Sequence, residues 1–121
     1  MIFDAFVGVD WSGAKGSRHR GIQVAVCTSG RGAPRVVTPP GGAWARRRLL
    51  DWSLETLGGG RVLIGFDFSF TLPFVDRGAY FPGDRDVPGR AQDLWQLVNR
   101  GAAGAPDFYA GGFVEAMPFA A

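Results

Sequence analysis

Two early stretches of the chain alternate apolar and polar residues with the period of a β-strand. Residues 5–10 form a short apolar run, and residues 21–28 place an apolar side chain at every second position from Ile22 onward. A polar, glycine-containing turn separates them, and a brief third apolar stretch follows at residues 35–38. Alternation bounded by turn residues predicts three strands that form an antiparallel meander.

The pattern then changes to a helical repeat. In residues 43–57, Leu50, Leu54 and Leu57 lie at positions i, i+4 and i+7, which predicts an amphipathic helix with these leucines on its buried side. Three consecutive glycines end this repeat, as expected at the end of a helix. A second helix is predicted at residues 88–99 from the same kind of spacing.

A near-continuous apolar run follows the glycines, at residues 61–66, and it stops at Asp67. Such a run is typical of a strand that is buried on both faces. A strand, a helix and a further strand form a crossover unit, so this strand is expected to be parallel to an earlier strand of the same sheet. The similar ends of the two strands, described next, make residues 5–9 its expected neighbour. The sequence therefore predicts an α/β fold in which the meander is followed by a helix and a parallel strand.

The two strands predicted to be parallel end in nearly the same way. Residues 7–12 read Val-Gly-Val-Asp-Trp-Ser, and residues 64–69 read Ile-Gly-Phe-Asp-Phe-Ser. Because parallel neighbours end at the same edge of a sheet, where ligands of open α/β sheets bind, Asp10 and Asp67 are expected to lie together. Paired carboxylates suit Mg²⁺ and the metal-assisted cleavage of phosphodiesters. The alternative is that each aspartate only terminates its strand, since aspartate is common in turns.

Small and basic residues around the two aspartates are candidate contacts for a phosphate. The serines that follow them could bind a phosphate or a metal-bound water, or could cap their local turns. The loop at residues 12–20 could wrap a phosphate with backbone amides and cations, or could be a solvated hairpin loop. It lacks the Gly-Lys-Ser/Thr ending and the following helix of a P-loop. The candidate phosphate-binding residues are Ser12, Gly13, Lys15, Arg18 and Ser69.

Several other polar residues have simpler interpretations. His19 stands alone and is expected to be exposed in its loop, and the three arginines at 46–48 are expected to lie on a solvated helix face. A metal site of this kind normally needs a third or fourth carboxylate, for which Asp107 and Glu115 are candidates, although neither lies in a recognisable motif. Trp11 is expected to pack against its neighbours.

Composition limits the classes of protein that fit. The 121 residues suit one domain, and a formal charge of +2 gives no independent argument for nucleic-acid binding. A single cysteine, Cys27, excludes an internal disulfide and a cysteine-based zinc site. No apolar run approaches the length needed to span a bilayer and no signal peptide is evident, so we expect a cytoplasmic protein without a membrane partner.

The order of these elements, with an aspartate at the end of the first strand and of the later one, resembles the ribonuclease H-like fold, which actin-like ATPases share. The sequences at the two strand ends are similar to those of a bacterial family of predicted nucleases with this fold. Its motifs are Gly-x-Asp and Asp-x-x-x-x-Leu-Pro, the second of which matches residues 67–73. The resemblance covers residues 5–75 well and the rest loosely. It implies that Asp10 and Asp67 are the first two ligands of a catalytic Mg²⁺ or Mn²⁺, and that the partner is a nucleic acid or a nucleotide.

The chain departs from that pattern near its end. Nucleases of this fold carry their last acidic residues on a helix after a fifth strand, whereas residues 101–121 show no period and are expected to form an irregular tail. We therefore expect residues 1–121 to be one domain, the N-terminal part of a longer one, and to lack activity alone. Two alternatives stay open: a nucleotide-binding half-domain of the actin-like ATPase or sugar-kinase type, with ATP phosphates in the loop at 12–20, and a non-catalytic binding domain. No feature of the sequence indicates an oligomeric state.

Overall fold

The computed structural model describes residues 2–30, 32–69, 71, 72, 74–81, 83 and 87–116. The chain divides into two compact units. The first unit consists of Met1–Phe68 together with Pro106–Phe108, and the second consists of Ser69–Ala105 and Tyr109–Ala121. The short segment 106–108 thus belongs to the first unit although it is distant from it in sequence.

A four-stranded mixed sheet is the centre of the first unit. The strands are β1 (Ala5–Asp10), β2 (Gln23–Thr28), β3 (Arg35–Val36) and β4 (Val62–Asp67). The two pairings of the meander, β1 with β2 and β2 with β3, are antiparallel, whereas β4 pairs with β1 in parallel. The strand order is β3-β2-β1-β4, which confirms the predicted α/β class and the predicted parallel pair.

Strand alternation divides the side chains of this sheet between two faces. On one face Val7 and Val9 of β1 and Val24 of β2 are buried in the main hydrophobic core, and Val26 of β2 packs against it. On the other face the alternate residues of β1 and β4 are exposed at their carboxyl ends. The sheet therefore has one packed face and one open face, and the core consists of Val7, Val9, Ile22, Val24, Trp44 and Leu49.

Helix α1 (Arg46–Gly58) lies between β3 and β4 in the chain, where a helix was predicted. The prediction of its buried side was wrong. Leu50, Leu54 and Leu57 are 43%, 59% and 44% exposed, whereas Leu49 is buried together with two polar residues, Arg46 and Ser53. The buried side is thus displaced by about one residue from the leucine repeat.

The physical reason is that the polar residues on the buried side have internal partners. The Ser53 hydroxyl donates to the carbonyl of Leu49 at 2.8 Å, and Arg46 donates to several backbone carbonyls. Trp52 packs against Trp44 with their ring centroids 5.7 Å apart. Buried polar groups cost little when they are hydrogen-bonded, so the most hydrophobic stripe of a helix need not be the buried one.

The second unit contains two helices, α2 (Ala91–Gly101) and α3 (Gly111–Glu115). Within this unit, the rings of Phe74 and Tyr80 meet edge to face with centroids 4.8 Å apart. In α2, Leu94 is buried as its spacing predicted, whereas Trp95 is about half exposed.

In the stretch expected to be an irregular tail, the structure has a 3₁₀ turn at Pro106–Phe108 and helix α3. Residues 117–121 of that stretch lie outside the described residues, as does Pro73 of the Leu-Pro motif. None of the helices in the described ranges is long and apolar enough to cross a membrane.

Candidate metal site at the edge of the sheet

The two aspartates predicted to lie together are direct partners in the sheet. Asp10 is the last residue of β1 and Asp67 is the last residue of β4, and the parallel register pairs them. Neighbouring strands are about 4.8 Å apart, and residues paired in register present their side chains to the same face. Both aspartates are exposed, at the carboxyl edge of the open face. The sheet therefore places two carboxylates where they can share one ligand.

A third oxygen-bearing side chain, which was not among the predicted site residues, lies in the same row. Gln23 begins β2 and is the antiparallel partner of Asp10, so Gln23, Asp10 and Asp67 cross three adjacent strands on one face. Its Nε2 donates to the carbonyl of Arg20 at 2.9 Å, which leaves the amide oxygen as the acceptor end. The polar position of Gln23 in an otherwise apolar alternation was the available signal.

The row of polar side chains borders a shallow groove of about 590 Å³ on the open face. Small residues form its floor, since Gly8 pairs with Gly65 on one side and with Ala25 on the other. A Cβ atom built at either glycine would meet no other atom within 4 Å, so neither glycine is required by packing. The two glycines leave the backbone beside the aspartates open to a ligand.

Aromatic side chains flank the aspartates on the opposite face. Trp11 follows Asp10, and Phe66 and Phe68 stand on either side of Asp67. The ring centroid of Trp11 lies 6.3 Å from that of Phe66 and 5.3 Å from that of Phe68, and the two phenylalanine rings are 5.3 Å apart. The packing predicted for Trp11 is confirmed, and it joins the backbone beside one aspartate to the backbone beside the other.

Of the five candidate phosphate-binding residues, Ser12 and Arg18 hydrogen-bond within the protein. The Ser12 hydroxyl accepts the backbone N–H of Ala14 at 3.3 Å, which is the turn-capping alternative. The Arg18 guanidinium donates to the carbonyls of Pro40 and Ala43, at 3.3 and 3.5 Å, and holds that turn. The remaining candidates are exposed: Gly13 and Lys15 in the loop after β1, and Ser69 as the first residue of the second unit.

A buried polar cluster lies behind the loop that follows β1, and sequence reasoning did not predict it. His19 and Arg46 were expected to be exposed, but their side chains are only 2% exposed, and that of Asp107 is 7% exposed. His19 Nε2 donates to Asp107 Oδ2 at 2.9 Å. Of the three arginines expected on a solvated face, only Arg47 and Arg48 are exposed.

Asp107 caps helix α1 from 61 residues away. Its Oδ2 accepts the backbone N–H of Arg46 at 3.0 Å, and its Oδ1 accepts that of Arg47 at 3.1 Å. The helix has Ala45 at its N-cap position and no acidic residue in its first turn. A helix start without a local cap leaves unpaired amides, and that deficit was the one sequence signal for a distant acceptor.

The environment of Asp107 shifts its pKa. Burial by itself raises the pKa of this carboxyl, but the amides of Arg46 and Arg47 and the His19 side chain stabilise the charged form, and the net result is a lowered pKa. Asp107 and Phe108 both have left-handed backbone conformations, with φ of 49° and 56°. The cluster thus holds two strained residues in place to supply an ionised cap.

Arg46 connects this cluster to the loop after Asp10. Its Nε and Nη2 donate to the carbonyl of Ser12 at 3.3 and 2.9 Å, and Nη2 also donates to that of Ala14 at 2.6 Å. Nη1 donates to the carbonyl of Asp107 at 3.0 Å. The guanidinium carbon lies 5.7 Å from the centre of the Trp11 ring.

The two candidates for a third carboxylate are Asp107, in the first unit, and Glu115, in the second. Both oxygens of Asp107 are occupied by the cap and by His19, so the structure contradicts a role for Asp107 as a metal ligand. Glu115 is the last residue of α3, in the second unit. Within the described ranges, no group of three or more His, Cys, Asp and Glu side chains could hold a metal ion.

The fold and the site together define an α/β protein with a mixed sheet and an exposed pair of aspartates at the carboxyl edge of its parallel strands. No protein-family model, no curated protein and no solved structure matches the chain. Its function therefore has to be inferred from these residues and their geometry.

Proposed function

We propose that this chain is a ribonuclease H-like protein that binds Mg²⁺ or Mn²⁺ through Asp10 and Asp67 and hydrolyses phosphodiester bonds in a nucleic acid. The observation that carries the proposal is the parallel register, which makes the two aspartates direct partners on the open face. The strand order β3-β2-β1-β4, with the crossover through α1, supports the fold assignment because it is the order expected from the resemblance.

The donor set suits a hard divalent cation. Two carboxylates with the amide oxygen of Gln23 beside them offer only oxygen ligands, which is the preference of Mg²⁺, and the exposed edge leaves room for water and substrate oxygens. A divalent ion at this edge would be held and neutralised by Asp10 and Asp67, and it would supply polarisation of phosphoryl oxygens and activation of water.

The groove and the loop contribute to substrate binding. Gly8 and Gly65 keep side chains off the floor, so a phosphodiester backbone can approach the sheet beside the carboxylates. The amide of Gly13 and the ammonium of Lys15, in the exposed loop after Asp10, supply the positive potential that an anionic substrate needs. Arg18 donates to the carbonyls of Pro40 and Ala43, so we assign it a structural role and no role in substrate binding.

The ATPase alternative depends more heavily on the loop at residues 12–20. The Ser12 hydroxyl accepts a backbone amide and Arg18 binds two carbonyls, so two groups that would hold nucleotide phosphates have other partners. The carboxylate pair and the groove need neither group. These contacts favour the nuclease over the nucleotide-binding alternative.

The test is cleavage of labelled single-stranded, duplex and branched DNA and RNA with Mg²⁺ or Mn²⁺, with phosphate release from ATP measured in parallel. The paired carboxylates revise the expectation that residues 1–121 lack activity alone. We expect metal-dependent cleavage of at least one nucleic acid, and a loss of about 10²-fold or more in Asp10→Asn and in Asp67→Asn. Asp51→Asn makes the same change at an exposed position of α1 and should cleave at the wild-type rate. Equal rates in all four proteins would refute the proposal, and ATP hydrolysis without cleavage would support the alternative.

A further inference from the structure

We propose that Arg46 and Trp11 are positioning residues that fix the spacing of the Asp10–Asp67 pair from the opposite face of the sheet, an inference that rests on the proposed metal site. Neither side chain belongs to the open face on which the carboxylates lie. Each acts through the backbone next to an aspartate. The two residues join that backbone to the buried cluster behind the loop.

The first step is the aromatic contact between the strand ends. Because side chains alternate along a strand, the neighbours of the two aspartates lie on the other face, where Trp11 contacts both Phe66 and Phe68 at centroid distances of 6.3 and 5.3 Å. The ring beside Asp10 therefore contacts both rings that flank Asp67, and the three rings form one cluster. A displacement of either strand end would break these contacts.

The second step is the guanidinium of Arg46, which holds the chain as it leaves β1. It donates four hydrogen bonds to three carbonyls, those of Ser12, Ala14 and Asp107, and it lies 5.7 Å from the Trp11 ring centre. Arginine presents these donors in a rigid planar fork, which lysine cannot reproduce. Asp107 in turn fixes the residue that carries the guanidinium, since it accepts the Arg46 backbone amide.

The third step is the electrostatic need for such support. Two carboxylates on adjacent strands repel each other when no cation lies between them. They are exposed at the carboxyl ends of their strands, where the pairing of β1 with β4 ends. Support from the opposite face keeps the pair at the spacing that one divalent ion requires, and so lowers the cost of forming the site.

The experiment measures Mn²⁺ affinity by titration calorimetry, and amide hydrogen exchange at residues 11–14, in Arg46→Lys and Trp11→Leu. We expect about tenfold weaker Mn²⁺ binding than in the wild type, comparable with the loss of other groups that orient metal ligands, and faster exchange in the loop. The matched control is Arg61→Lys, because Arg61 bridges Asp4 at the opposite end of the same two strands. It should bind Mn²⁺ with wild-type affinity.

A second control separates positioning from stability. Leu49→Ala removes a buried core side chain that takes no part in the hydrogen bonds of the Arg46 guanidinium, so it should lower the urea midpoint while the folded protein keeps its Mn²⁺ affinity. Wild-type Mn²⁺ affinity in both Arg46→Lys and Trp11→Leu would overturn the inference. Failure of the wild type itself to bind Mn²⁺ would overturn the proposed function instead, and unchanged loop exchange in Arg46→Lys would then overturn the positioning role as well.

Discussion

The substitution Asp107→Ala removes the distant cap of helix α1. The lost carboxylate accepts three hydrogen bonds, from the amides of Arg46 and Arg47 at 3.0 and 3.1 Å and from His19 Nε2 at 2.9 Å. The side chain is 7% exposed, so water cannot readily replace it. The helix start and the His19 ring would both lose their acceptor.

The expected cost follows from these contacts. Loss of an N-cap costs about 1 kcal/mol, and an unpaired buried donor that had bonded to a charged group costs about 2 kcal/mol more. The total of about 3 kcal/mol is a large part of the stability of a small domain. Asp107→Asn keeps one acceptor oxygen and should lose roughly half as much, about 1.5 kcal/mol.

The assay is urea unfolding followed by far-UV circular dichroism. For a slope of about 1.5 kcal/mol per M, the Asp107→Ala midpoint should fall by about 2 M. Asp51→Ala changes an exposed aspartate of the same helix and should shift the free energy of unfolding by less than about 0.5 kcal/mol. A midpoint for Asp107→Ala equal to that of Asp51→Ala would refute the capping role.

Three further predictions concern the same fold. Because folding lowers the pKa of Asp107, this carboxylate contributes its full stabilisation of the folded protein above its unfolded pKa of about 4, and the contribution is lost as the pH falls through the folded pKa. The difference in stability between wild type and Asp107→Asn should therefore close below about pH 4, as measured by the urea midpoint at a series of acid pH values. Leu49→Ala should cost about 2–5 kcal/mol and Leu54→Ala less than about 1 kcal/mol in urea unfolding, and the reverse order would restore the leucine stripe as the buried side of α1. Gly65→Ala should leave the thermal midpoint unchanged or raise it slightly, because the new Cβ meets no atom within 4 Å. Gly101→Ala should lower the midpoint, because the new Cβ would lie 2.5 Å from the ring of Phe113 in α3. Equal midpoints for the two variants would show that this ring moves aside freely.

The sheet could be predicted from the sequence because its signals are local. The apolar runs and their alternation locate β1, β2 and β4, and the crossover through α1 requires the parallel pair. The Gly-x-Asp motif at the end of both strands predicted that Asp10 and Asp67 lie side by side, and the parallel register pairs them. Each of these inferences needs only a few neighbouring residues and one rule of chain topology.

The polar interior could not be predicted in this way. Hydrophobicity favoured Leu50, Leu54 and Leu57 for the buried side of α1, but the burial of Arg46 depends on carbonyls from a loop more than 30 residues earlier. Asp107 lies in a stretch without periodicity, and its partners are 61 and 88 residues away. Hydrogen bonds between residues so far apart in the sequence cannot be recognised from local patterns. The one local sign was that α1 starts without a capping side chain.

The most direct test of the central claim is the line broadening that Mn²⁺ causes in a ¹H–¹⁵N spectrum of the ¹⁵N-labelled protein. A paramagnetic ion between the two carboxylates should broaden the amides of Asp10, Asp67 and Gln23 first, and the effect should disappear in Asp10→Asn. A spectrum that Mn²⁺ leaves unchanged, or broadening centred on the acidic residues of α1 near Asp51, would contradict a metal site at this edge of the sheet.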